Sequence, residues 1–179
     1  MSVADRSIDP RIIESAKEEF LQKGFLDASL QEICKNAGVT TGALYKRFKG
    51  KEELFCALVD NTVQDLEEVV RQKSVLPATL TDEQLKKAWD MDREYMQWWF
   101  DYLYDRYDEM RLLLVFSDGT KYANFEHELV ESMSHTTYAY YKEAQRRELT
   151  KTDISEKEMH VMLSSFWTAI CEPLIHGFT

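Results

Sequence analysis

The sequence predicts an all-α fold, a short N-terminal helical module followed by a larger helical body. Three observations carry this. Apolar residues recur at i, i+3 and i+4 spacing through almost the whole chain. Glycine and proline are scarce, six and three in 179 residues, and most of them punctuate the periodic segments. No stretch alternates apolar and polar residues over the length of a useful strand, and no internal repeat appears.

Ile12, Ile13, Ala16 and Phe20 place one stripe on a first helix that Gly24 stops. Ser29 is a good N-cap for a short second helix carrying Leu30, Ile33, Cys34 and Ala37, broken by Gly38. Thr40 or Thr41 caps a third helix, with Leu44 and Phe48 facing inward, Val39 just before it and Gly50 ending it. A long fourth helix follows with Leu54, Phe55, Leu58, Val59, Val63, Leu66 and Val70. The segment 74–81, with Pro77, reads as a linker. Thr81 and Gln84 form a capping-box signal for a fifth helix running to about Tyr107. Further helices are expected near 108–117, 122–148 and 155–175. They are separated by Ser117-Asp118-Gly119 and by the residues from Thr150 to Asp153. The domain division expected is 1–52 and 53–179.

Net charge is −10, which on average disfavours nucleic acid, but the charge is uneven. Residues 1–51 hold nine Lys/Arg against seven Asp/Glu, whereas the rest holds 13 against 25. Lys35, Lys46, Arg47, Lys49 and Lys51 follow Cys34 with no acid among them. A basic patch on an acidic body can grip phosphates while the body is repelled from them, which also orients the protein. Cys34, Cys56 and Cys171 are odd in number and far apart, so free thiols and a cytoplasmic location are expected. The first thirty residues lack a signal-peptide core, and no apolar run approaches the ~20 residues of a membrane span. No membrane partner is expected.

A helix of about eight residues, a glycine-containing turn and a second short helix can place the second helix in a major groove. Here the helix-turn-helix is 29–48. Its inward positions are apolar, which locks the pair. Thr40, Thr41, Gly42, Ala43, Tyr45 and Lys46 face outward, with small residues leading, so base edges can come close. Tyr45, Lys46, Lys51 and the Ser29 helix start suit phosphates.

The string SLQEICKNAGVTTGALYKRFKGKEELF, preceded by IIESAKEEFLQKGF, closely resembles the DNA-binding domain of the TetR (tetracycline repressor) family over about residues 9–60. Ala28, where that family usually has serine or threonine, is a departure that bears on capping. The resemblance implies a regulator, most often a repressor, that binds palindromic double-stranded operator DNA as a homodimer. A small-molecule effector held by the larger domain would release it. The DNA-facing surface it implies is Thr41, Gly42, Ala43, Tyr45 and Lys46, with Lys51 on the backbone. By the same resemblance another helix is expected after Thr179; either that helix follows the given sequence or the dimer interface is built differently.

On the predicted helix 81–107, Leu85, Ala88, Trp89, Met91, Tyr95, Met96, Trp98, Trp99, Tyr102 and Leu103 spread over about twice the ~100° stripe of a surface helix. Such a helix faces both a core and a cavity. Asp92 falls inside that arc, and Glu126 falls on the apolar face of 122–148. An ionised carboxylate there needs a partner. One reading is an internal ion pair, hydrogen bond or rim position. The other is an effector site of Asp92, Tyr95, Trp98, Trp99, Tyr102 and Glu126 for a cationic or donor ligand. Met159, Met162, Leu163, Phe166, Trp167, Ile170 and Leu174 form a broad stripe suited to a dimer interface. His127, Glu131 and His135 have i, i+4 spacing but lie opposite the apolar face, which reads as solvated surface rather than metal site. No nucleophile–base pair, phosphate loop or metal cluster points to an enzyme, and no cofactor is expected. The competing reading is a helical protein-interaction module without a DNA role.

Overall fold

The structure, a computed structural model, describes residues 8–74, 79–87 and 92–178. Every regular element among them is helical: α1 Ile8–Asp27, α2 Leu30–Ala37, α3 Thr41–Tyr45, α4 Lys51–Ser74, α5 Asp82–Lys87, α6 Arg93–Tyr104, α7 Tyr107–Val115, α8 Phe125–Arg146 and α9 Glu156–Ile175. Packing groups them into two units. The first takes the chain up to Val63 together with Tyr107–Phe125, and the second takes Gln64–Arg106 and the chain from Glu126 onward.

In the first unit, α1 buries Ile12, Ala16 and Phe20. Gly24 leaves helical geometry at φ 74, and the Phe25 amide then donates to the carbonyl of Phe116 (3.0 Å). Phe20 and Phe25 both meet Phe55 of α4 edge-on, at 5.2 and 5.6 Å between ring centroids. Such aromatic pairs add roughly 0.5–1.5 kcal/mol to the burial of their area. Ser29 caps α2 by accepting from the Glu32 amide, and α2 buries Ile33, Cys34 and Ala37. Gly38 ends it in the left-handed region (φ 64), where a side chain is strained. That turn lets the Val39 amide donate to the carbonyl of Cys34 (2.9 Å) and aims the chain into α3.

The second unit holds the expected capping box, in which the Thr81 amide donates to Gln84 Oε1 (2.9 Å) and the Gln84 amide to Thr81 Oγ (3.2 Å). The helix that starts there is not continuous to residue 107. The described part of α5 runs to Lys87, and α6 begins anew at Arg93 with Asp92 extended at φ −65, ψ 172. The apolar arc drawn through 81–107 therefore does not exist as one surface, and Ala88, Trp89 and Met91 lie outside the described residues. A second capping box at Ser155 and Glu158 starts α9. That helix buries Met159, Leu163, Trp167, Ile170, Cys171 and Leu174. All three cysteines are free and buried. No described helix is long and apolar enough to cross a membrane.

Candidate nucleic-acid interface

The two short helices are held by a buried brace. Glu19 of α1 is 4 % exposed, yet its carboxylate accepts from Lys23 Nζ (2.8 Å) and from the amide of Ser29 (3.0 Å), the N-cap of α2. Burial alone would raise its pKa; the Lys23 and Ser29 hydrogen bonds outweigh burial and hold it below the ordinary carboxylate value. Ser15 Oγ adds a buried bond to the carbonyl of Ile33 (3.0 Å). Glu19 was not singled out from the sequence. Its signal is an acid seven residues after Ile12 and three after Ala16, on the apolar face of α1.

With α2 anchored, α3 is fastened by Leu44, which is fully buried. Thr40 caps α3, its Oγ accepting from the Ala43 amide (3.2 Å). The helix is shorter than the expected 40–48. The amides of Arg47 and Phe48 both donate to the carbonyl of Leu44 (2.9 and 3.0 Å), which tightens the chain into a turn after Tyr45. Phe48 is half-buried rather than a core residue. Thr40, Thr41, Gly42, Tyr45 and Lys46 are exposed, Tyr45 to 56 %, and Ala43 is half-buried. One short helix thus presents two hydroxyls, a bare backbone, a phenol and an ammonium to solvent.

Not every cation of the basic stretch is equally placed. The Lys51 ammonium donates to the carbonyls of Leu26 (2.9 Å) and Ala28 (3.1 Å) and lies over the Phe25 ring (4.7 Å). Two of its three donors therefore close the end of α1, leaving one for a phosphate. Arg47 donates to the carbonyl of Ala43 (3.1 Å), and Lys35 pairs with Glu32 (3.0 Å). Lys46 and Lys49 are exposed. Ser29 is half-buried, its hydroxyl engaged in capping.

In the second unit, Asp92 is the N-cap of α6, accepting from the Tyr95 amide (2.8 Å). That local bond accounts for the carboxylate and corrects its place on an apolar face. Trp98 stacks on Tyr102 (5.4 Å), Trp99 meets Trp167 edge-on (5.6 Å), and Tyr95 meets Trp99 at 6.3 Å. Arg106 caps this cluster, its guanidinium 4.0 Å from the centre of the Tyr102 ring and bonded to Asp65 (3.2 Å). Glu126 is half-buried and its charge acts on Cys171, whose thiol is pushed up by burial first and by Glu126 and Glu172 after it. Asp92 and Glu126 share no bond among the described residues.

The stripe expected to join two copies faces inward instead. Met159, Leu163, Trp167, Ile170 and Leu174 are buried by their own chain, Trp167 against Trp99 of α6. Phe166 is half-buried and Met162 is 58 % exposed, beside Val161 at 63 %. His127, Glu131 and His135 are exposed on α8, with His135 bonded to Glu156 (3.0 Å) and His127 edge-on to His160 (5.8 Å). Among the described residues no three of His, Cys, Asp or Glu converge as a metal site.

Residues 12–58 match the family model described as bacterial regulatory proteins, tetR family. Through this segment the chain is similar to the DNA-binding part of that family. Over 57 residues it is 44 % identical to the HTH-type transcriptional regulator SrpR of Pseudomonas putida. That stretch is 32 % of this chain and 27 % of SrpR. Over the whole fold it is similar to the TetR-family regulator PfmR of Thermus thermophilus, with a TM-score of 0.60 at 16 % identity, covering 95 % of this chain and 85 % of the other. It is also similar to the regulator FadR of Bacillus subtilis, solved with stearoyl-CoA, with a TM-score of 0.57 at 18 % identity, covering 94 % and 86 %. The named relatives are transcriptional regulators and not enzymes.

Proposed function

We propose that this protein is a regulator of the TetR type, a cytoplasmic, ligand-responsive repressor that binds palindromic operator DNA as a homodimer. The DNA-reading part lies in residues 1–52 and the effector and dimer parts in 53–179. The observation that carries the reading is the solvent face of α3, where Thr40, Thr41, Gly42, Ala43, Tyr45 and Lys46 stand in a stretch that holds cations and no acid. Thr41 and Ala43 suit methyl and hydroxyl contacts to base edges, while Tyr45 and Lys46 suit phosphates. Ser29 contributes through the start of α2, and Lys51 through its remaining donor.

One helix-turn-helix reads one half-site, so tight binding calls for two copies spaced by about one turn of duplex. The outer face of α9 supports that pairing. Val161, Met162, Ser165, Thr168 and Ala169 are exposed there, in a run from Val161 to Cys171 that contains no charged residue. Charge depletion of this kind marks the centre of homodimer interfaces. The effector is assigned to the second unit, whose aromatic cluster on α6 and α9 includes Tyr95, Trp98, Trp99 and Tyr102, with Glu126 on α8. The solved FadR complex with stearoyl-CoA supports an effector-bearing fold of this shape.

Selection of duplexes from a random library, followed by anisotropy titration, tests the reading. Enrichment of an inverted repeat is expected, and Tyr45→Ala or Lys46→Ala should weaken its binding while fold and dimer persist. Retained affinity in both variants contradicts the assigned surface.

A further inference from the structure

A cavity of about 340 Å³ lies in the second unit between α5, the C-terminal end of α8 and the loop that leads to α9. Its size is at the lower end of the ~300–1,000 Å³ span of small-molecule sites. Leu85, Tyr141, Ala144, Leu149 and Ile154 supply an apolar wall. Thr150 and Thr152 also line it, and Lys86 is the one charged residue of the lining among the described residues.

The loop is built so that Tyr141 offers a ligand only its ring. The Tyr141 hydroxyl donates to the carbonyl of Thr152 and accepts from the Ile154 amide (3.0 Å) and Gln145 Nε2 (3.0 Å). A phenol has one proton and two lone pairs, and all are used. Thr150 Oγ already accepts from the Thr152 amide (3.3 Å). The charged polar group left at the cavity is a donor, the exposed Lys86 ammonium, while the threonine hydroxyls can donate or accept. Arg147 holds the start of α5 in place by donating to the carbonyl of Leu80 and to Asp82, so the wall carrying Leu85 and Lys86 is tied to α8.

We infer that this cavity binds a small apolar molecule ending in one anionic head, with the body against Leu85, Ala144, Leu149 and Ile154 and the head at Lys86. A cation is refused because, among the described residues, the lining has an ammonium and no carboxylate. The site differs from the Asp92 and Glu126 positions and from the aromatic cluster of α6. Only its part in regulation rests on the reading proposed above.

The full-length protein is titrated by calorimetry with octanoate, 1-octanol and octylamine. Octanoate should bind about tenfold or more tightly than the alcohol, and octylamine should give no saturable heat. Lys86→Met, at an exposed position, should weaken octanoate about tenfold and leave octanol unchanged. Ala144→Leu should abolish both by filling the cavity, and Leu149→Trp, on the loop, repeats that test should the first variant fail to fold. No saturable octanoate binding overturns the inference, as does equal affinity for the three probes, or octanoate binding that survives Lys86→Met unchanged. Duplex affinity measured in parallel reads the regulator assignment separately. That assignment fails if no duplex is bound, whatever octanoate does.

Discussion

Glu19 joins the end of α1 to the start of α2, and losing its charge leaves the Ser29 amide and Lys23 without their acceptor. Glu19→Ala is expected to cost about 1–3 kcal/mol, the usual penalty for orphaning a buried hydrogen-bonding group. Thermal unfolding checks it, and an unchanged midpoint contradicts the brace. Its pKa is lowered in the folded protein, so its contribution is fully present above the unfolded glutamate value, about 4.3, and is lost as pH falls through the folded value. Stability measured from pH 7 to pH 3 should therefore decline less steeply in Glu19→Gln than in the parent. The position was legible only as an acid on an apolar face; that it would meet a helix N-cap ten residues later is a tertiary fact. Lys51 illustrates the converse. The sequence makes it a phosphate ligand, but the carbonyls left open at the end of α1 claim most of its donors.

At the scale of elements, the helices with caps and glycine stops were readable, and the break inside 81–107 was not. Gly24 and Gly38 adopt positive φ where the sequence puts the ends of α1 and α2; at Gly38 the left-handed residue closes the open carbonyls of the helix end, its amide donating to the carbonyls of Cys34 and Lys35. Asp92 carried the other reading, a carboxylate amid apolar residues. A free Asp in mid-helix and an Asp at an N-cap look alike in sequence, and only the backbone at φ −65, ψ 172 separates them. Asp92→Ala should lower stability by about 1 kcal/mol, while Asp92→Asn, which can still accept from the Tyr95 amide, should stay near the parent. Equal loss in both variants, followed by chemical denaturation, would point to a role for the charge rather than the cap. Gly38→Ala should cost on the order of 1 kcal/mol through its left-handed φ and should loosen α3 along with it.

At the scale of the molecule, the periodicity of α9 announced an apolar stripe without saying what covers it. A core face and a subunit face share the same spacing, and here five of the seven stripe residues named from the sequence are buried by their own chain. Leu163→Ala should therefore destabilise the monomer by about 2–4 kcal/mol. Met162→Glu, on the exposed side, should leave folding intact and shift the protein from dimer to monomer in sedimentation equilibrium. A Met162→Glu protein that remains dimeric places the interface elsewhere. The charge fits the same picture, since a net of −10 spares the stretch around α3, where Lys35, Lys46, Arg47, Lys49 and Lys51 stand with no acid among them and favour a polyanion. The exposed face of α3 is proposed to hold duplex DNA, and affinity against salt tests this most directly. Binding of the selected duplex should fall steeply and linearly on logarithmic axes, with Lys46→Ala lowering the slope by about one. A slope near zero, or one that neither Lys46→Ala nor Tyr45→Ala alters in slope or height, contradicts the account.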